Sequence, residues 1–129
     1  MGLFNKIFSG SSEPKEEKLL PWIALSKVEQ LQEIEKKSKT KTQVIFKHST
    51  RCGISRMVMK QFVDAYNLSE TDVDFYYLDL LNYRDVSNET GYKFQVIHES
   101  PQLLIIKNEV VVAQASHGSI NDLDLEDFV

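Results

Sequence analysis

Short runs of apolar residues, rich in β-branched and aromatic types, recur along the chain between polar segments. Each run is four to six residues long, which is short for a helix and typical of a strand. The runs therefore predict five strands. They lie at residues 20–23, 42–47, 73–78, 103–106 and 110–113.

Between the first three strands, apolar residues recur with the spacing of a helix. In the first predicted helix, Ser26 is the expected N-cap, and Val28, Leu31 and Ile34 share one face. The second helix is predicted over residues 52–66, with a core face whose positions follow helical spacing. These positions are Ile54, Met57, Val58, Gln61, Phe62 and Ala65.

The second half of the chain continues the alternation. Residues 79–92 form a polar, weakly helical connection expected to end at Gly91, and residues 119–129 are expected to form a terminal helix. Residues 107–109 join the last two strands, a connection length typical of a hairpin. The order β-α-β-α-β-α-β-β-α predicts an α/β fold with a mixed central sheet flanked by helices. Its βαβ crossovers should make neighbouring strands parallel, and its closing hairpin should be antiparallel.

Chain length and a polar N-terminal stretch define the expected domain organisation. A chain of 129 residues is long enough for one modest core and too short for a second substrate domain. Residues 9–18 combine Ser, Gly and Pro with clustered charge, which is typical of a linker. We therefore expect a flexible N-terminal tail over residues 1–18 and one folded domain over residues 19–129.

Charge and hydropathy argue against several classes of partner. The chain has 15 basic and 19 acidic residues, a formal net charge of −4, and no basic stripe with interleaved aromatic residues. We therefore expect no nucleic-acid partner. No apolar run approaches the roughly 20 residues that cross a bilayer, and the start of the chain lacks the apolar core of a signal peptide. These features predict a cytoplasmic protein without a membrane partner.

Cys52 is the single cysteine of the chain, so any disulfide it forms is intermolecular. It lies between a predicted strand and a predicted helix, where unpaired amide N–H groups and the helix dipole stabilise a thiolate. Arg51, Arg56, His48 and Lys47 are close in sequence and are expected to add positive charge. The alternative is an inert buried cysteine. The polar neighbours and the strand-to-helix junction favour an exposed, redox-active thiol.

Two other positions accompany the cysteine. Ser55 stands three residues after Cys52, where a Cys-x-x-Cys pair has its second thiol. It can donate a hydrogen bond to the thiolate or act as an ordinary helix-start cap, but it cannot resolve a mixed disulfide. Pro101 stands at the entry of a predicted strand, a position where any strand tolerates a proline. His98 and His117 have no recognised ligand spacing, so we expect no metal site.

Two segments together resemble the monothiol bacilliredoxins, the redox-active proteins of the bacillithiol system. They are Phe-Lys-His-Ser-Thr-Arg-Cys-Gly-Ile-Ser at 46–55 and His-Glu-Ser-Pro-Gln at 98–102, and Ala-Ser-His-Gly at 115–118 adds a third patch. The resemblance spans roughly residues 20–120. It implies a thioredoxin-like fold, an attacking Cys52 and a cis peptide at Ser100–Pro101 whose backbone meets the substrate.

The resemblance also implies a reaction of the Cys-x-x-Ser motif. Cys52 would remove bacillithiol from S-thiolated client proteins, and free bacillithiol, the expected co-substrate, would then discharge Cys52. No bound cofactor is expected. The catalytic residues implied are Cys52 and Ser55. The implied substrate-binding residues are Arg51, Gly53, Ile54, Ser100 and Pro101, with Lys47 or His98 as further contacts to the sugar and carboxylates of bacillithiol.

Two other functions remain open. The Cys-Gly-Ile-Ser motif is also similar to the Cys-Gly-Phe-Ser motif of monothiol glutaredoxins, which hold an iron–sulfur cluster with external thiols, although Ile54 replaces the Phe. A carrier of this kind would be coloured when purified without oxygen. A non-catalytic thioredoxin-fold adaptor would be silent in every thiol-exchange assay.

Overall fold

The computed structural model describes residues 20–69 and 71–129, and the predicted tail over residues 1–18 lies outside them. The strands are β1 (Trp22–Ala24), β2 (Thr42–His48), β3 (Val73–Asp79), β4 (Gln102–Lys107) and β5 (Val110–Ser116). The helices are α1 (Glu29–Lys37), α2 (Gly53–Ala65) and α3 (Arg84–Phe94), followed by two 3₁₀ helices, His117–Asp122 and Leu125–Phe128. No helix in these two ranges is long and apolar enough to cross a membrane.

The five strands form one mixed sheet in the order β1-β3-β2-β4-β5. β3 is parallel to both β1 and β2, and β4 is antiparallel to both β2 and β5. The predicted mixed sheet is thus confirmed, but the prediction that every βαβ crossover gives a parallel neighbour was wrong for β4. The chain after α3 returns to the edge where β2 and β3 end, so β4 starts there and runs in the opposite direction.

The core has two layers because alternate residues of the central strands face opposite sides of the sheet. On one side, Val44 and Phe46 pack with α2 and the 3₁₀ helices. On the other, Ile45 packs with α1 and α3. All seven residues of β2 are buried, which explains why its sequence is a continuous run rather than an alternating one.

The buried face of α2 differs from the predicted one. Ser55, Val58 and Phe62 are its buried residues, whereas Ile54 and Met57 are 57% and 55% exposed. Apolar spacing alone favoured the face containing Ile54 and Met57. The helix instead turns the Ser55 side inward, because the Ser55 hydroxyl finds hydrogen-bond partners there.

The helix ends also differ from prediction. Ser26 does not cap α1; the side-chain oxygen of Gln30 accepts from the amides of Ser26 and Lys27 at 2.8 and 3.0 Å. α3 continues past Gly91 to Phe94 and ends at Gln95, which adopts the left-handed conformation with φ 60°. Gly91 lies inside the helix, where a Cβ would stand 3.1 Å from the carbonyl oxygen of Val96.

The predicted terminal α-helix is replaced by the two 3₁₀ helices. Between them, Asp124 has φ −99° and ψ 102°, and its side chain accepts from the amide of Glu126 at 3.1 Å. An aspartate that bonds to nearby backbone in this way competes with helical hydrogen bonding. Ile120 and Leu125 are nevertheless buried, so each short helix contributes one apolar side chain to the core.

Candidate active site

The candidate site lies at the edge of the sheet where β2 ends and β4 begins. Lys47 pairs with Gln102 in the antiparallel register of these two strands. Cys52 follows β2 by a short loop, and Pro101 immediately precedes β4. The topology therefore brings Cys52 and the Ser100–Pro101 segment, which are far apart in sequence, to the same edge.

Cys52 is the N-cap residue of α2, with an extended backbone at φ −97° and ψ 123°. Its amide donates to the carbonyl oxygen of Ser49 at 3.2 Å, and its own carbonyl oxygen accepts from the amide of Arg56 at 3.0 Å. Its side chain makes no capping hydrogen bond within the described residues and is half-buried. The backbone is thus fixed while the thiol remains accessible beside the free amides of the first helical turn, which favour a negative charge.

The charge around the thiol comes from arginine. Arg51 is exposed, and the guanidinium of Arg56 donates to the carbonyl oxygen of Thr50 at 3.2 Å. The same guanidinium lies 4.0 Å from the place where a Cβ on Gly53 would stand, so it lies across the start of α2. Arg51 and Arg56 therefore both lie near the start of α2, next to the loop that carries Cys52.

His48 does not supply the positive charge that its place in the sequence indicated. Its side chain is buried, and burial lowers the pKa of His48 below its ordinary value of 6.5, although the carboxylate of Asp79 opposes this shift. This shift favours the neutral imidazole. Its Nδ1 lies 2.8 Å from the hydroxyl oxygen of Ser55, so His48 takes part in the site through a hydrogen bond and not through charge.

Ser55 is fully buried, and its hydroxyl ties the loop before Cys52 to the helix after it. The hydroxyl oxygen accepts from the amide of Ser49 at 3.1 Å and shares a hydrogen bond with His48. The hydroxyl proton is free to point toward the thiol only in the tautomer whose Nδ1 carries the imidazole proton. A hydrogen bond from Ser55 to the Cys52 thiolate stays a prediction.

The Ser100–Pro101 peptide is cis, as the family resemblance implied. Pro101 is buried, and its carbonyl oxygen accepts from the amide of His117 at 3.0 Å. The Ser100 hydroxyl oxygen is buried and has no hydrogen-bond partner among residues 20–69 and 71–129. This hydrogen bond links the proline to the segment at 115–118, the third patch that resembles the family.

Sequence patterns did not predict the polar network formed by Lys47, His98 and Gln102. Lys47 is fully buried, and its ammonium contacts Nδ1 of His98 at 2.8 Å and Oε1 of Gln102 at 3.1 Å. Burial lowers the pKa of Lys47 from 10.5 to about 8. The prediction that Lys47 contacts bacillithiol was wrong because its side chain has no exposed surface, whereas the predicted effect of its charge on the thiol stays a prediction.

The surface beside the thiol is apolar as well as cationic. Ile54 and Met57 on the first turns of α2 are more than half exposed, and Ile97, in the loop before the cis-proline, is 83% exposed. No group of three or more His, Cys, Asp or Glu side chains that could hold a metal ion occurs in the part of the chain described by the structure. The arrangement suits a disulfide substrate that approaches one half-buried, accessible sulfur.

Comparison with known families identifies the class of protein. The family model of the monothiol bacilliredoxin BrxC matches residues 23–125. The chain belongs to the monothiol bacilliredoxin family. This confirms the resemblance read from residues 46–55 and 98–102, and it assigns a thiol redox function to this bacilliredoxin in general terms.

Solved structures give the same fold. A candidate oxidoreductase with a thioredoxin fold is 36% identical, with a TM-score of 0.64 over 76% of this chain and 84% of that one. Thioredoxins from Malassezia sympodialis and Trypanosoma brucei brucei are 20% and 15% identical, with TM-scores of 0.62 and 0.63. These alignments cover 84% and 90% of this chain and 91% and 97% of the thioredoxins. The predicted thioredoxin-like fold is confirmed.

Proposed function

We propose that this bacilliredoxin removes bacillithiol from S-bacillithiolated proteins in the cytoplasm through a one-cysteine exchange at Cys52, as part of cell redox homeostasis. The observation that carries the proposal is the setting of the single sulfur. Cys52 is accessible at the start of α2, and a fully buried serine stands three residues later, where a dithiol enzyme has its second sulfur. Such a site can accept a thiol in a mixed disulfide but has no internal means of releasing it.

The reaction consists of two balanced exchanges. In the first, the Cys52 thiolate attacks the bacillithiol sulfur of the mixed disulfide; the Cys52–bacillithiol bond forms, and the client leaves as a thiolate. In the second, the thiolate of free bacillithiol attacks this adduct, which releases bacillithiol disulfide and regenerates the Cys52 thiolate. No electron acceptor or further cofactor is needed, because each step exchanges one S–S bond for another.

The residues around Cys52 have distinct parts in this proposal. The amides of the first turn of α2 and the guanidinium of Arg56 stabilise the attacking thiolate. Arg51 is free to contact the carboxylates of bacillithiol, for which the planar guanidinium is well suited. Gly53 and Ile54 border the sulfur, and the backbone of Ser100 and Pro101 forms the opposite wall for the disulfide.

The test is a turnover assay with a bacillithiolated client protein and excess free bacillithiol. Wild type should release the client thiol repeatedly, whereas Cys52→Ser should release none above the uncatalysed rate. Wild type alkylated at Cys52 is the matched control, since it keeps the sequence and loses only the nucleophile. A glutathionylated client should react more slowly, because glutathione lacks the sugar and malate carboxylates of bacillithiol.

The result of this assay, together with the presence or absence of an iron–sulfur cluster, distinguishes the two other functions. A protein that exchanges no mixed disulfide but holds an iron–sulfur cluster after anaerobic purification would be a cluster carrier that uses Cys52 and an outside thiol. A protein that does neither would be an adaptor. Activity that persists in Cys52→Ser would refute the assignment of the nucleophile.

A further inference from the structure

Lys47 is a charged residue with no exposed surface, at the end of the central strand that leads to Cys52. Burying an ammonium is unfavourable even when it is hydrogen-bonded, and apolar residues of similar volume often replace buried ionic groups without loss of stability. Core stability therefore does not explain a lysine here. The contacts of its ammonium indicate another role.

Those contacts lead to the loop that carries the cis-proline. The Lys47 ammonium contacts the side chain of His98 at 2.8 Å and Oε1 of Gln102 at 3.1 Å. The same Oε1 accepts from the amide of Glu99 at 3.4 Å, and Nε2 of Gln102 donates to the carbonyl oxygen of Ile97 at 3.0 Å. Three consecutive residues of the loop are thus held by one buried pair, Lys47 and Gln102.

The network also spans three strands. Lys47 lies on β2 and Gln102 on β4, and Nε2 of Gln102 donates to Oε1 of Gln114 on β5 at 3.0 Å. All four hydrogen-bonding positions of the Gln102 amide are therefore used within the network. β2 leads to Cys52, and Gln102 follows Pro101. The network therefore fixes the position of the loop before Pro101 relative to β2.

We propose that Lys47 is a positioning residue: its ammonium, with Gln102, holds the loop 97–101 so that the wall opposite Cys52 is already formed when the mixed disulfide arrives. The effect on substrate rests on the proposed function, whereas the effect on the loop does not. A preformed wall lowers the ordering cost of binding and leaves the chemistry at the sulfur unchanged.

The first test measures the loop directly. Hydrogen exchange of the Glu99 amide should be at least tenfold faster in Lys47→Met than in wild type, because the Gln102 oxygen that protects this amide loses its anchor. Lys60→Met is the matched control: Lys60 is an exposed residue of α2 that pairs with Asp64 at 3.6 Å on the surface. Unchanged exchange at Glu99 in Lys47→Met would overturn the proposal whatever the activity of the protein.

The second test measures the consequence for the reaction. In Lys47→Met, KM for the bacillithiolated client should rise about tenfold with kcat within twofold of wild type, while alkylation of Cys52 by iodoacetamide keeps its wild-type rate. If wild type exchanged no disulfide, the proposed function would be refuted. The hydrogen-exchange result at the Glu99 amide would then decide the role of Lys47. A fall in kcat with unchanged KM would overturn the positioning role.

A surface variant guards against misfolding of the core variant. His98 is exposed, so His98→Leu removes a partner of the Lys47 ammonium without a change in the core, and it should raise KM in the same direction. Adding it to Lys47→Met should produce little further effect, because both substitutions act through one network. Fully additive effects would indicate that His98 contacts the substrate independently and would overturn the shared role.

Discussion

At the scale of single residues, Ser55 shows how the site replaces a second sulfur with hydrogen bonds. Its hydroxyl accepts from the Ser49 amide and bonds to His48, and it is completely buried. The loop from Ser49 to Cys52 is therefore joined to α2 by a side chain as well as by the backbone. The start of α2 is therefore held by the hydrogen bonds of a side chain that has no resolving thiol.

Substituting Ser55 by Ala should lower the free energy of unfolding by about 1–3 kcal/mol, because it leaves the Ser49 amide and the His48 nitrogen without their partner. The measurement is urea unfolding of both proteins at pH 7. Ser119→Ala, at an exposed position, is the control and should stay within about 0.5 kcal/mol of wild type. Equal stability of Ser55→Ala and wild type would mean that the hydrogen bonds of the Ser55 hydroxyl do not stabilise the fold.

The residues of the site were predictable from sequence to different degrees. Cys52, Ser55 and Pro101 are recognisable because their spacing and local pattern are distinctive. The role of Lys47 is not, because a lysine is usually exposed and its partners lie 51 and 55 positions away along the chain. A local pattern carries no information about partners that only the folded sheet brings together.

At the scale of secondary-structure elements, the central strands were predicted almost to the residue and the helices less well. The strand at 42–47 gained only His48, since continuous burial gives a clear apolar run. The predicted α2 face was wrong because apolar spacing favoured Ile54 and Met57, which are more than half exposed, over the buried Ser55. The end of α3 was wrong because a glycine within a helix costs only about 1 kcal/mol, which packing can offset.

The hairpin between β4 and β5 offers a test of backbone conformation. Asn108 and Glu109 both have positive φ, at 53° and 73°, which matches the two-residue turn that favours Asn-Gly. Replacing Glu109 by Gly should therefore raise the free energy of unfolding by about 1 kcal/mol, since a side chain is disfavoured at positive φ. Thermal unfolding checks this prediction.

The exposed ion pair of Glu109 with Lys39, at 3.3 Å, requires a control. Glu109→Ala removes the same ion pair but keeps a side chain at positive φ, so it should be slightly less stable than wild type, by at most about 1 kcal/mol. If the Gly and Ala variants had the same melting temperature, relief of backbone strain would not be the cause of any change.

At the scale of the whole molecule, the buried lysine and tyrosines give stability a specific dependence on alkaline pH. Lys47 has a pKa of about 8 in the folded protein and 10.5 in the unfolded chain, so between these values the unfolded chain binds more protons. Stability should therefore rise with pH, by about 2 kcal/mol between pH 8 and pH 10 from this group. Burial raises the pKa of Tyr66 and Tyr76 from 10.0 to about 12, so stability should fall again above pH 10.

The comparison that isolates the lysine is urea unfolding of wild type and Lys47→Met at several pH values from 7 to 11. Wild type should gain about 2 kcal/mol of stability relative to Lys47→Met as the pH rises from 8 to 10. The decline above pH 10 should persist in both, because it belongs to the tyrosines. Parallel curves throughout would show that Lys47 does not titrate in this range.

The whole molecule also explains why one sulfur suffices for the proposed cycle. A mixed sheet covered on both faces presents Cys52 at the same edge as the cis peptide at Ser100–Pro101. Nothing in the chain competes for a thiol once Cys52 has accepted it, since the sequence contains no other cysteine. The adduct should therefore persist until an outside thiol arrives.

The most direct measurement of the central claim is the intact mass of this chain after the reduced protein is mixed with a bacillithiolated client in the absence of free thiols. The chain should gain the mass of one bacillithiol on Cys52, in step with one client thiol released, and addition of free bacillithiol should return it to its original mass. Client thiol released without an adduct on Cys52, or no release at all, would contradict the account.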